Sequence, residues 1–284
     1  MLNEIKKSNV KKLFPKRKRD SHKGDNGRVL IVGGSREYYG APLLAGMGAL
    51  FSGTDLVTLF VPECNFDVSR TYYPDFIVKA FPGDRLDGRG VEPISLASEN
   101  QDCVVFGPGI GDRPETQATI QALIKKIECP LVLDSHAVYA LPRDHTRNNA
   151  RILITPHAQE FANFCKKPLP SLFIEKTEKA KKCAATFNVN VLLKNPLDIV
   201  VSAQGDFCIN STGNPGMTKG GTGDVLVGLI GGLVARGLSL YDAARVGVFI
   251  LGTAGDELFL GKSYAYTATD LALHLPYTIQ GMLK

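Results

Sequence analysis

Ser211-Thr-Gly-Asn-Pro-Gly-Met-Thr-Lys-Gly-Gly-Thr-Gly-Asp224 leads without a break into an apolar run over 225–235. Within it Val225, Leu226, Leu229, Ile230, Leu233 and Val234 recur at the spacing of one helical face, which predicts a helix over 225–236. Gly220, Gly221, Thr222 and Gly223 then stand at its N-terminus, where free N–H groups and the positive end of the helix dipole make an anion hole. Glycine lets a phosphate approach the backbone with no side chain in the way. Asp224 falls in the first turn. Taken alone, such an acid reads equally well as a helix cap. Beside a glycine-lined hole it completes what phosphoryl transfer to a hydroxyl needs: one part for the transferred charge, one for the acceptor proton.

Upstream of this stretch, short β-branched apolar runs alternate with longer amphipathic segments, the pattern of parallel strands joined by crossover helices. Strands are expected at 29–32, 56–60, 76–78, 103–106, 131–133 and 152–154, most of them apolar throughout, as strands buried on both faces are. After Thr155 the rhythm changes. A helix over 172–188 precedes strands at 191–193, 199–201 and 207–209, with hairpins near Asn195-Pro196 and Gln204-Gly205, and the C-terminal third is helical. The reading is an α/β, doubly wound, mainly parallel sheet flanked by helices, with an antiparallel edge. Gly33-Gly34-Ser35 and Gly107-Pro-Gly-Ile-Gly111 follow strands directly, at the carboxyl edge where open sheets bind ligands. Either loop alone is equally well ordinary turn chemistry. His157, after Thr155-Pro156, reaches the same edge, although a lone histidine is more often structural than catalytic.

The 284 residues carry a net charge of +5, but residues 1–23 hold nine Lys or Arg against Glu4 and Asp20, leaving 24 basic and 26 acidic residues in the rest. The body thus has no global attraction for polyanions. Residues 1–23 are read as a solvated basic arm and 24–284 as a single domain. No nucleic-acid partner is expected, because Lys16, Arg17, Lys18 and Arg19 lack interleaved aromatics. The basic stretch is followed by no apolar signal core, which points to the cytoplasm, and no run approaches the roughly 20 residues of a membrane span. Six cysteines are scattered without any CxxC pair, so neither zinc nor a redox motif is suggested. Residues 255–263 have one residue too many, and follow the wrong element, for a phosphate-binding P-loop.

The ordered motifs resemble those of a known family. Gly220-Gly-Thr-Gly-Asp224 is similar to the glycine-rich signature of ribokinase-like enzymes. With Gly213-Asn-Pro-Gly-Met217 before it and Val225-Leu226 after it, the stretch resembles one branch, the ADP- or ATP-dependent NAD(P)H-hydrate dehydratases. Matching segments cover nearly the whole chain: residues 22–35, Tyr39-Gly-Ala-Pro42, Phe106-Gly-Pro-Gly-Ile-Gly111, Leu131-Val-Leu-Asp134, Thr155-Pro-His157 and Glu160. The resemblance implies a ribokinase-like fold, substrate contacts by Ala41, Gly109, Gly111, His157 and Asp224, and nucleotide contacts by Lys194, Asn195, Pro196, Leu197, Asp198 and Gly223. Mg²⁺ is the implied cofactor, with Glu160 acting on it through water. Two positions depart from the family: Asn195 stands where Gly usually follows the lysine, its tolerance of left-handed backbone allowing a turn there, and His136 follows Asp134-Ser135.

The activity so implied is dehydration of the S form of hydrated NADH or NADPH, with Asp224 as the base. A nucleotide phosphorylates the ring hydroxyl and phosphate is then eliminated. ADP and ATP both remain open as donor, and the family suggests a homo-oligomer, a tetramer. The epimerase domain fused to some members is not expected. Two rival readings are a kinase of the same fold acting on a vitamin precursor, such as a hydroxymethylpyrimidine or hydroxyethylthiazole, and a nucleotide sensor without turnover. The Gly-Ala-Pro and Thr-Pro-His motifs speak against the first, Asp224 beside intact glycines against the second.

Overall fold

The computed structural model describes residues 3–142 and 149–284. Among these, nine strands form one sheet: β1 (Arg28–Val32), β2 (Leu56–Pro62), β3 (Phe76–Phe81), β4 (Cys103–Phe106), β5 (Leu131–Leu133), β6 (Ile152–Ile154), β7 (Asn190–Leu193), β8 (Asp198–Val201) and β9 (Phe207–Asn210). Their order is β3-β2-β1-β4-β5-β6-β7-β8-β9. Pairing is parallel from β3 to β7 and antiparallel through β8 and β9, the expected edge. Ten helices accompany it: α1 (Lys7–Leu13), α2 (Gly40–Phe51), α3 (Phe66–Tyr72), α4 (Val91–Ser98), α5 (Pro114–Lys126), α6 (Ala158–Cys165), α7 (Phe173–Phe187), α8 (Thr222–Ala235), α9 (Leu240–Lys262) and α10 (Ala268–Leu283).

Because successive side chains of a strand point to opposite faces, apolar runs feed two cores at once. Val29, Ile31, Val57, Leu59 and Val105 join a core with α2, α8, α9 and α10, while Leu30, Val32, Phe60, Val104 and Phe106 join one with α4, α5, α6 and α7. Each such side chain, fully buried, stabilises the fold by about 1.5–3 kcal/mol. The strand β3 runs three residues beyond its apolar stretch because its pairing with β2 continues to Pro62↔Phe81 through the exposed Lys79 and Ala80, which a search for buried runs cannot see.

The helix that carries the glycine motif sits unusually deep. A Cβ on Gly228 would lie 1.8 Å from the carbonyl oxygen of Ala45, and one on Gly48 would lie 2.2 Å from that of Val225. Backbone thus meets backbone between α8 and α2. That contact sets the height at which the N-terminus of α8 emerges over the carboxyl edge of the sheet.

The basic N-terminal segment is not a free arm over residues 3–14. Ile5, Val10 and Phe14 are buried in the core beneath α9 and α10, and the Ile5 N–H donates to Ile209 O at 2.9 Å. Lys7 and Lys11 donate to the carbonyls of Gly281 and Lys284 at the end of α10, at 3.1 and 3.0 Å. Two of the segment's nine basic side chains therefore cap a helix C-terminus, where cations are favoured. The apolar spacing of Ile5, Val10 and Phe14 carries the signal that the run of lysines hides.

Candidate active site

The order of the strands places a topological switch between β1 and β4, because the chain leaves β1 toward β2 on one side and β4 toward β5 on the other. Ligands of open α/β sheets bind in the crevice this opens at the carboxyl edge. The two loops that line it interlock: Gly34 N–H donates to Pro108 O at 2.7 Å. Gly109 has φ +65°, and a Cβ there would meet Tyr38 O at 2.6 Å and Ala41 Cβ at 3.0 Å. Ala41, in the first turn of α2, and Gly109 therefore form one wall, while Gly111 faces open space.

Leu44, one helical turn after Ala41, brings that wall to α8. The N-cap of α8 is Gly221 with φ +94°, and a Cβ there would lie 2.5 Å from Leu44 Cδ1 and 2.9 Å from Ala268 Cβ. Only glycine meets both the backbone angle and the space. No side chain caps this helix. Among the described residues nothing accepts from the N–H groups of Gly223 or Asp224, so the first turn offers free donors to an anion. The preceding Gly213-Asn-Pro-Gly-Met is a brace. Gly213 N–H and Asn214 Nδ2 donate to Asp256 at 2.9 and 3.1 Å, and Asn214 Oδ1 accepts from Tyr266 Oη at 2.7 Å.

The ends of β5, β6 and β7 complete the site. Asp134 Oδ1 accepts from Thr155 Oγ1 at 2.6 Å and from Lys194 Nζ at 2.8 Å. Lys194 Nζ in turn lies 3.5 Å from where a Cβ of Gly223 would be, against the first turn of α8. Burial and the neighbouring Asp134 push the Asp224 carboxyl up to about 7, with Lys194 opposing them. Burial disfavours the Lys194 ammonium, but Asp134 and Glu160 outweigh it and raise its pKa. Asp134 was missed as a site residue, since nothing in the sequence tells that its carboxylate turns toward a lysine sixty positions away.

His157 and Glu160 cap α6. The His157 Nδ1 accepts from the N–H groups of Gln159 and Glu160 at 3.1 and 3.3 Å, and Glu160 Oε2 accepts from His157 N–H at 2.8 Å. With Nδ1 an acceptor, the neutral ring carries its proton on Nε2, which lies 3.4 Å from Glu160 Oε1 on a half-exposed side chain. Both Glu160 oxygens thus face His157. Among the described residues no three His, Cys, Asp or Glu side chains converge on a point that could hold a metal. What is present, an excess of carboxylates over ammonium beside an anion hole, fits an Mg²⁺ that arrives on phosphates and keeps most of its waters.

The segment from Lys194 to Asp198 divides. Lys194 joins the cluster around Asp134, while Asp198 turns into the hairpin, accepting from Asn195 N–H and Asn210 Nδ2, both at 3.1 Å, with burial pushing it up to about 6. Pro196 and Leu197 form the exposed tip. Asn195 does not adopt the left-handed backbone that its side chain would tolerate; Ser135, directly after Asp134, does, with φ +51°. His136 packs edge-on against Tyr139. Two surface grooves, of about 670 and 550 Å³, lie along α7 and beside Phe14, Asp55 and Arg236, and neither contains a residue expected in the site.

A family model described as NAD(P)H-hydrate dehydratase matches residues 29–277. The chain is 37% identical over 271 residues to the bifunctional NAD(P)H-hydrate repair enzyme Nnr of Methanothermobacter thermautotrophicus, covering 93% of this chain and 51% of that protein. It is 34% identical over 276 residues to the ADP-dependent (S)-NAD(P)H-hydrate dehydratase of Cenarchaeum symbiosum, covering 96% of this chain and 95% of the relative. Among solved structures it is similar to the ADP/ATP-dependent NAD(P)H-hydrate dehydratase from Bacillus subtilis co-crystallized with ATP/Mg²⁺, at 27% identity and a TM-score of 0.85, covering 99% of each chain. The chain spans about half the length of the bifunctional relatives it matches.

Proposed function

Because the chain has the ribokinase-like fold and belongs to the NAD(P)H-hydrate dehydratase family, we propose that it is a nucleotide-dependent lyase that dehydrates the S form of hydrated NADH or NADPH. One observation carries the reading: a carboxyl pushed up to about 7 stands in the first turn of an uncapped glycine-led helix whose Gly221 packs on Leu44, one turn from the Ala41 wall, and whose Gly223 faces Lys194. A base with a pKa near the working pH is the one that best accepts a proton in the transition state.

The chemistry follows from that placement. Hydroxide leaves poorly from the hydrated ring. Asp224 takes the ring hydroxyl's proton as its oxygen attacks the terminal phosphorus of ADP or ATP, and the bond to the bridging oxygen breaks to release AMP or ADP. The turn over residues 220–223 takes up the charge on the transferring group through the N–H groups left free at the head of α8, with Lys194 beside them. The ring nitrogen's lone pair then expels phosphate, a proton leaves the adjacent carbon, and the dihydropyridine is restored. His157, through Nε2–H, and the backbone at Gly109 and Gly111 orient the substrate. The segment from Lys194 to Asp198, with Gly223, holds the nucleotide. Mg²⁺, when bound with the nucleotide, would neutralise charge on its phosphates, and Glu160 is the residue to hold its waters.

The same reading takes the molecule as a cytoplasmic homo-oligomer. Buried thiols at Cys103, Cys183 and Cys208 suit a reducing compartment, and exposed Leu260 and Tyr277 on α9 and α10 offer apolar surface for a second copy. Incubation with hydrated NADH, Mg²⁺ and either nucleotide should restore the dihydronicotinamide absorbance, with one phosphate bond consumed per NADH. Nucleotide hydrolysis without that recovery, or phosphorylation of a vitamin-precursor alcohol instead, would overturn the reading.

A further inference from the structure

Asp134 is the most enclosed carboxylate of the site, 4% exposed, and it is held from every side. Its N–H donates to Phe106 O at 2.9 Å, and its carbonyl oxygen would lie only 2.1 Å from a Cβ on Gly107. Its Oδ1 carries both the Thr155 hydroxyl and the Lys194 ammonium. The side chain cannot move far without breaking these contacts. Lys194 is different in kind: its charge rides on a flexible four-carbon stem, and it stands between two acids, Asp134 on β5's end and Asp224 on α8. Its ion pair is with the first.

From this geometry we infer that Asp134 is a positioning residue: by accepting the Lys194 ammonium it holds that cation against the first turn of α8 and withholds it from Asp224, so that the acid heading the helix stays unpaired. The other ionisable side chains around this point are Glu160, in the first turn of α6, which also attracts Lys194, and His157, the N-cap, which both Glu160 oxygens face. Lys219, the remaining cation near the glycine turn, is tied to the carbonyls of Tyr264 and Tyr266. With Asp134's charge removed, Lys194 is free to swing to Asp224 and form the pair that the native arrangement prevents. An opposite charge at that range lowers a carboxyl pKa by about 1–3 units.

The inference rests on the proposed function only where activity is read, so its test is made without turnover. Urea unfolding of the protein and of its Asp224→Asn counterpart, from about pH 4 to 9, yields a stability difference whose step marks the ionisation of Asp224. The same pair is then measured in Asp134→Asn and in Lys194→Met backgrounds. The step, near 7 in the unaltered protein, should move down by about one unit or more in Asp134→Asn and up in Lys194→Met. The acid limb of kcat/KM should move with it. Loss of Asp134's direct repulsion of Asp224 would lower the step with or without Lys194, so Asp134→Asn is also made in Lys194→Met, where no cation can swing and the downward shift should be clearly smaller. An equal shift there, or an unmoved step with only a lower unfolding midpoint in Asp134→Asn, overturns the inference. Should Asp134→Asn fail to fold, Asp134→Ser, which also removes the charge that holds Lys194, takes its place with the same expected shift; an unmoved step there overturns the inference equally. Shifted steps in a protein that restores no NADH would sink the dehydratase reading and leave this inference standing.

Discussion

Helices α8 and α10 begin side by side, with Gly221 packed on Ala268, and each carries an aspartate at the third helical position. They are treated in opposite ways. In α10, Asp270 closes a capping box: its Oδ2 accepts from Thr267 N–H at 2.7 Å, the Thr267 hydroxyl accepts from Asp270 N–H at 3.1 Å, and Lys262 completes the set. Those donors, Lys262 first, hold Asp270 below the usual carboxylate range. In α8 the cap is a glycine with nothing to reciprocate, and Asp224 is pushed up to about 7. One acid is spent on stability. The other is left dissatisfied, which is the condition of a group that must take up and release a proton.

The sharpest way to break the comparison is Asp224→Asn. As general base its loss should lower turnover by about 100- to 10,000-fold, whereas an Asn at a mere cap would leave activity within a few-fold. The same substitution should leave folding intact and, at higher pH, strengthen it. The sign follows from linkage. Asp224 ionises near 3.8 when unfolded and at about 7 when folded, so the folded state binds the extra proton between those values. Its contribution is fully present below pH 3.8 and is lost as pH rises to about 7, on the order of 4 kcal/mol at most. Asp224→Asn should erase that loss, so its advantage in unfolding free energy over the parent should grow from about pH 4 and level off above 7. An advantage that did not grow would mean that Asp224 is not buried as a neutral acid.

Gly221→Ala tests the glycine end of the comparison. The left-handed backbone costs a non-glycine residue about 1–3 kcal/mol, and the new methyl presses on Leu44. Thermal unfolding should fall by several degrees, and kcat should drop with little change in the affinity for hydrated NADH, because the turn that aims the free N–H groups is displaced. The smallest effect belongs to the satisfied helix: Thr267→Ala should cost about 1 kcal/mol and leave turnover untouched. If Thr267→Ala harmed turnover as much as Gly221→Ala, the two helix starts would not be separable functions.

The nine strands, the hairpins of the sheet's antiparallel edge and the glycine-led helix were legible because each follows from a local regularity: period, apolar run length, or a glycine where the backbone must turn. Asp224's position in the first turn followed from counting along α8. Its protonation did not, because a carboxyl's pKa depends on what faces it. The cluster around it was only half visible: Lys194 and Asp224 were named, but Asp134 was a motif member without a role, and the hydrogen bonds by which Asp198 ties the hairpin were not legible.

By itself the sequence determined which segments are strand and helix and where phosphate could meet bare backbone, since those depend on neighbours within a few residues. Only the tertiary structure decided that residues 3–14 belong to the core, that Leu44 and Gly221 meet, and that Lys194 pairs with Asp134 rather than Asp224. A contact between residues dozens to hundreds apart depends on the depth at which helices seat on a sheet. Here that depth is set by α8 and α2 touching backbone to backbone at Gly228 and Gly48, a fit that no stretch of sequence contains.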